Sequence, residues 1–183
     1  SGISPDGRLI GLVSRYHPSK GLREFLALQH QLMPLDKLVL VGRGMERDNT
    51  HLSRDAEHAG VDLSSKDIVC LGERQDLPLV YPALDVLVVA SYHEGSPNAM
   101  LEAMACGVTV VGTNVGDVAR IIADPARVCL SGDAQALADV VRYALSNLSQ
   151  VGQQDRQRVV EEYDSARCIS AYEKTYRQLL SRC

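Results

Sequence analysis

Glu94 and Glu102 stand with seven residues between them in Glu94-Gly95-Ser96-Pro97-Asn98-Ala99-Met100-Leu101-Glu102. Two carboxylates at this spacing bracket a helix start. Ser96 suits an N-cap and Pro97 the first helical position, where a missing N–H costs nothing. Gly107 suits the far end of the helix. Between them every residue except Glu102 is small or apolar from Ala99 to Cys106. That pattern predicts a helix buried on all faces. A carboxylate buried there needs hydrogen-bond donors, since leaving it unpaired is costly. Sugar and ribose hydroxyls are donors of the right kind.

The elements that would position these groups are legible as alternating apolar runs and helical stretches. Residues 8–14, 37–41, 67–71, 85–90, 108–112 and 127–130 read as six short strands. Their near-continuous hydrophobicity predicts a parallel sheet covered on both faces. Helices are expected at 22–33, 50–59, 77–81, 98–106 and 115–122 between the strands, with Leu22, Phe25, Leu26, Leu32 and Met33 as core stripe. This is the pattern of a Rossmann-like, doubly wound α/β sandwich. Residues 8–148 form that unit, and residues 1–7 read as linker. A strand-free tail adds helices at 134–148, 153–163 and 166–181, expected to pack on the sheet flank or reach towards a further domain.

In a sheet of order 3-2-1-4-5-6, strands one and four are neighbours where the winding direction switches, and ligands bind beyond their carboxyl ends. The loop after strand one carries Arg15 and Lys20; the loop after strand four carries Glu94, Gly95 and Ser96. Two cations facing a helix N-terminus describe a phosphate site. A carboxylate beside it suits hydroxyls on whatever the phosphate carries. His17 and His93 lie near these loops, but a catalytic role for either is not the expectation.

Several classes are disfavoured. Gly11-Leu12-Val13-Ser14-Arg15-Tyr16 after the first strand holds no G-x-G-x-x-G, and no P-loop occurs. Gly42-Arg43-Gly44 reads as an ordinary glycine turn. No two aspartates stand two apart and nothing else has metal-ligand spacing, so side-chain cations rather than a metal are expected to carry the phosphate charge. The 183 residues carry a formal net charge of −4, unlike the basic footprint of a nucleic-acid binder. A chain of this length can bury roughly 70% of its unfolded surface, enough for a full core. No apolar run approaches the roughly 20 residues of a membrane span. The five cysteines are odd in number, with no C-x-x-C, and read as reduced thiols of a cytoplasmic protein. The absence of tryptophan removes the stacking platform common in lectins.

These residues resemble the retaining glycosyltransferases of family 4, specifically the C-terminal, nucleotide-sugar-binding half of their GT-B fold. Gly11 to Gly21 is similar to the family's G-x-x-x-R-x-x-x-x-K-G stretch. Glu94 to Glu102 is similar to its E-x7-E motif, followed by Glu102-Ala103-Met104-Ala105-Cys106-Gly107. Leu38 to Gly44 and Leu84-Asp85-Val86 match further landmarks, and the resemblance spans about residues 8 to 145.

The resemblance implies roles. Arg15 and Lys20 would bind the donor diphosphate and stabilise it as it leaves. Glu94 would contact the donor sugar, and the amides from Gly95 through Ser96 and Pro97 to Asn98 would help hold sugar and phosphates. Glu102 would accept ribose hydroxyls, while the loop Gly72-Glu73-Arg74 would lie along the base. It further implies a nucleoside diphosphate sugar as substrate with no cofactor, and an N-terminal acceptor domain outside this chain. Polysaccharide or lipid-linked acceptors would put the full-length enzyme at the membrane periphery. Thr109 replaces the usual proline. Val115-Gly116-Asp117-Val118-Ala119-Arg120 departs from the family's paired glycines, so no donor contact is assigned to Asp117 or Arg120. Alternatives within reach are a GT-B epimerase or phosphorylase, weakened respectively by the E-x7-E pattern and by the lack of a cofactor-binding lysine motif, and a non-catalytic nucleotide-sugar sensor.

Overall fold

The computed structural model describes residues 7–181, so the linker reading of residues 1–6 lies outside it, as does Cys183. Six parallel strands form one sheet in the order β3-β2-β1-β4-β5-β6. They are β1 (Leu9–Val13), β2 (Lys37–Val41), β3 (Ile68–Gly72), β4 (Val86–Val89), β5 (Thr109–Thr113) and β6 (Val128–Cys129). The register sets Gly11 beside Val39 on one side and beside Leu87 on the other.

Period-two alternation divides the core into two layers. Ile10, Leu12, Leu38, Leu40, Val86 and Val88 face a layer containing Phe25, Leu26, Leu52, Leu137 and Val141. These come from α1 (Leu22–Ala27), α2 (Thr50–His58) and α6 (Ala134–Leu145). Val39, Val41, Leu87 and Val89 face the opposite layer, with Val80, Met100, Met104, Ile121 and Val159. That layer is built from α3 (Leu77–Val80), α4 (Asn98–Ala105), α5 (Val118–Ile122) and α7 (Leu148–Glu162). Both faces are therefore covered, as the hydrophobic strands required.

Some boundaries differ from the sequence expectation, each for a local reason. The first helix ends as α-helix at Ala27 and tightens into a 3₁₀ turn over Leu28–Gln31. Pro34 disfavours helical backbone at Met33, and the chain is already extended at Leu32, with ψ 159°. Met33 consequently leaves the core and is 72% exposed. The helix expected from Val115 starts at Val118, because Gly116 takes φ 52° in the turn before it. The helix expected to reach Leu148 stops at Leu145. There Ser146 Oγ and Asn147 Nδ2 donate to carbonyls four residues back, diverting the backbone, and α7 begins five residues earlier than expected.

The tail divides in two. α7 packs on α4 and β5, fixed by a buried ion pair. Arg127 Nη1 and Nη2 donate to the two carboxylate oxygens of Asp155 at 2.6 and 2.9 Å, and to the Val110 and Ile122 carbonyls at 3.1 Å. The final helix, α8 (Ser165–Leu180), buries no residue and leaves Ile169, Tyr172, Tyr176 and Leu179 exposed on one side. No described helix is long and apolar enough to cross a membrane.

Candidate functional site

The chain leaves β1 and β4 towards opposite faces, and their following loops border one cleft of about 460 Å³. Ser14, Arg15 and Lys20 line it from the first loop; Ser91, Glu94, Ser96, Pro97 and Asn98 line it from the second. The two loops are locked together through backbone. Tyr92 N–H donates to the Ser19 carbonyl at 2.7 Å. Gly21, at φ 65°, passes so close to Ala90 that a Cβ there would sit 1.9 Å from the Ala90 carbonyl oxygen. Only glycine fits, both for its left-handed backbone and for that approach. Gly21→Ala is expected to lower unfolding stability by about 1–3 kcal/mol through strain at this position, measured by denaturant titration. An unchanged midpoint would show that the loops separate freely.

Within the cleft, Lys20 Nζ donates to Glu94 Oε1 at 2.6 Å, with the two side chains 20% and 12% exposed. Ser91 Oγ donates to the same oxygen at 2.7 Å. Ser91 is itself buried, and Thr113 Oγ1 on β5 donates to its carbonyl at 2.5 Å. Oε1 is therefore held from two sides, while Oε2 takes no hydrogen bond among the described residues. His17 closes the 3₁₀ turn Pro18–Lys20, its Nδ1 accepting from the Ser19 amide. That is a positioning contact for the turn that carries Lys20. Arg15 is exposed, lines the cleft and forms no ion pair or side-chain hydrogen bond among the described residues, so its donors are available to a ligand.

The helix start differs from expectation in one detail. Pro97, not Ser96, is the N-cap, with extended backbone at ψ 113°, and α4 begins at Asn98. No side chain caps it. Its first amides thus point into the cleft with the partial positive charge of the helix end. Gly116 braces the far wall, since a Cβ there would lie 2.3 Å from the Glu94 carbonyl oxygen, and the Asp117 amide donates to the Gly95 carbonyl at 2.9 Å.

Glu102 is the larger correction. α4 buries Met100, Ala103 and Met104, but Glu102 is exposed, together with Asn98 and Ala105. Small and apolar neighbours do not guarantee cover when no element lies over that face. Glu102 still has a donor: the phenol of Tyr81, only 2% exposed, gives a 2.7 Å hydrogen bond to Oε2. Burial and this acceptor both raise the Tyr81 pKa, so it stays a protonated donor. Arg74, Leu77, Pro78, Tyr81, Glu102 and Ala105 line a second pocket, which brings Arg74 and Glu102 together. Arg74 is tied to Asp76 by two hydrogen bonds of 2.8 and 2.5 Å. Gly72 ends β3 at φ 63°, its carbonyl accepting from the Gly42 amide at 2.7 Å, and borders neither pocket. Asn98 and Glu102, one helical turn apart, connect the cleft to this second pocket along an exposed edge.

Asp117 and Arg120 pair with each other on the surface, and Arg120 also donates to Tyr163. Among the described residues no cluster of His, Cys, Asp or Glu could hold a metal. Ser91 and Tyr81 were not singled out by sequence reasoning. Ser91 precedes Glu94 by three residues, but nothing marks a lone serine as its partner. Tyr81 and Glu102 are 21 residues apart, with no period to connect them.

Fold and cleft together are those of GT-B glycosyltransferases. The chain belongs to the family described as glycosyl transferases group 1, whose family model matches residues 7–147. It is 26% identical to N-acetyl-alpha-D-glucosaminyl L-malate synthase of Bacillus anthracis, over 98% of this chain and 48% of that protein. Sucrose-phosphate synthase from Thermosynechococcus elongatus superposes with a TM-score of 0.83 at 25% identity, covering 99% of this chain and 47% of the other. A C-terminal domain of a glycosyl transferase group 1 family protein from Francisella tularensis superposes with a TM-score of 0.71 at 27% identity, covering 86% of this chain and 87% of that one. The chain thus spans about half the length of the first two proteins.

Proposed function

We propose that this chain is the donor-binding, C-terminal half of a retaining, metal-independent glycosyltransferase of family 4. The whole enzyme moves a hexose-type sugar from a nucleoside diphosphate to an acceptor hydroxyl. The observation that carries this reading is the convergence of Arg15, the Lys20–Glu94 pair and the uncapped start of α4 on one cleft. Two further facts support a half-enzyme: the Francisella neighbour is a C-terminal domain of similar extent, and the Bacillus relative is about twice as long.

Negative charge grows on the diphosphate as the bond to the sugar breaks. Arg15, Lys20 and the α4 amides, already oriented, stabilise that charge with little reorganisation. Glu94, with one oxygen fixed, presents the other to sugar hydroxyls and holds the sugar in reactive geometry. Glu102 accepts from the ribose, and Arg74 lies beside the base. The acceptor site belongs to an N-terminal domain, and the enzyme works in the cytoplasm at the membrane periphery.

The test compares nucleosides, nucleoside monophosphates and nucleoside diphosphates of uracil, guanine and adenine as ligands of the chain. One diphosphate is expected to bind at least tenfold tighter than its monophosphate, because only it engages both cations. Equal affinity for the nucleoside alone would remove the reading. Transfer by this chain alone is expected to be negligible, and transfer at a typical enzyme rate of roughly 1–10³ s⁻¹ would contradict the half-enzyme assignment.

A further inference from the structure

The carboxylate of Glu102 presents a physical problem. It sits on the exposed edge of α4, where a glutamate side chain samples many rotamers and loses roughly 1.5–2 kcal/mol of freedom when fixed. A flexible exposed carboxylate is a poor reader of ligand hydroxyls, because ordering it subtracts from every contact it makes. Here the ordering is already in place. Tyr81 lies at the junction of α3 and the following 3₁₀ turn, with its ring in the core layer beside Val80, Leu84 and Met104. Its ring is fixed by that packing, and its hydroxyl reaches out to Glu102 Oε2 at 2.7 Å. The buried phenol has this carboxylate as its acceptor, and Glu102 forms no ion pair among the described residues. Oε1 of Glu102 takes no hydrogen bond among the described residues, and Glu102 lines the pocket shared with Arg74.

We propose that Tyr81 is a positioning residue that makes this site selective for ribose over deoxyribose. It holds one oxygen of Glu102 so that the other is aimed, before any ligand arrives, at a pair of vicinal hydroxyls. The inference rests on the reading of the site as a nucleoside diphosphate site and adds the residue that sets its sugar selectivity. A rigid phenol anchored in the core and a carboxylate on the adjacent helix form a unit with one geometry. A ligand lacking the hydroxyl leaves that prearranged carboxylate unmatched, which is the situation that gives strong discrimination.

The test uses UDP, GDP and ADP with their 2′-deoxy and 3′-deoxy forms, titrated calorimetrically into the chain, Tyr81→Phe, Glu102→Gln and the double variant. Phenylalanine keeps the ring in the core, so the fold is retained, and thermal unfolding checks this. In the wild type the preferred ribonucleotide is expected to bind better than at least one of its deoxy forms. Tyr81→Phe should weaken the ribonucleotide by about tenfold, the size of one charge-assisted hydrogen bond, and leave that deoxy form unchanged. The double variant should lose no more than Glu102→Gln alone, since the tyrosine acts only through the carboxylate. A Tyr81→Phe protein that keeps the full ribose preference would overturn the proposal while leaving the diphosphate site standing. Equal losses for ribo and deoxy forms would reduce Tyr81 to a packing role and overturn it too. A wild type that binds none of the nucleotides would remove both the site reading and this inference.

Discussion

Asp155→Ala is expected to destabilise the protein by about 3–5 kcal/mol, because it strands a buried guanidinium. Arg127 and Asp155 are 3% and 1% exposed. Their bidentate contact is the bond between α7 and the β5–β6 side of the sheet, with Arg127 also satisfying two backbone carbonyls. Removing the acid leaves a charge in the core whose remaining ion-pair partner among the described residues is the half-buried Asp124. For a domain of this size the change should lower the midpoint of thermal unfolding by about 10 °C. Replacing both partners together, as Arg127→Met with Asp155→Leu, should recover most of the loss, since a buried pair contributes little beyond an apolar pair of similar volume. A single variant with wild-type stability would mean that α7 is dispensable to the fold.

The second large effect concerns the cleft. Arg15→Ala and Lys20→Ala are each expected to weaken nucleoside diphosphate binding by about 10–100-fold, the value of one charged contact to phosphate. In the full-length enzyme the two should diverge. Arg15 forms no ion pair or side-chain hydrogen bond among the described residues, so its loss removes a cation without unpairing another side chain. Lys20 also holds Glu94 Oε1 at 2.6 Å. Lys20→Ala therefore removes a phosphate contact and leaves Glu94 with Ser91 as its remaining side-chain partner. Its turnover should fall by the roughly 10²–10³-fold seen when an electrostatic stabiliser is removed, beyond its effect on binding. Calorimetry of the chain and steady-state rates of the complete enzyme separate the two contributions. Wild-type binding by both variants would relocate the phosphate site.

The sheet was legible because its physics is local. Runs such as Leu38-Val39-Leu40-Val41 are apolar on both pleat faces, which only a doubly covered strand tolerates. Alternation with helices points to a doubly wound sheet, and in the order 3-2-1-4-5-6, which the structure has, the loops after β1 and β4 lie side by side. That is why Arg15, Lys20 and Glu94 could be put in one cleft from the chain alone. What escaped depends on partners remote in sequence. Glu102 looked buried because its neighbours are small, yet no element covers that face of α4. Met33 fitted a helical stripe, but Pro34 takes the chain off the helix before it. Arg127 and Asp155 carry no mutual signal across 28 residues, though their contact fixes α7. The apolar side of α8, with Ile169, Tyr172 and Tyr176, is plain as amphipathicity, while a periodic pattern says nothing of what would cover it.

The proposed function rests on the loops after β1 and β4 forming a nucleoside diphosphate site. Backbone amide NMR shifts, followed while UDP, GDP and ADP are titrated into the chain, test it most directly. The expected result is one nucleotide that shifts Ser14 to His17, Ser19, Lys20, Gly95, Ser96 and Asn98 to Glu102, with α8 unmoved. Shifts confined to other surfaces, or none at millimolar concentrations of all three, would contradict it.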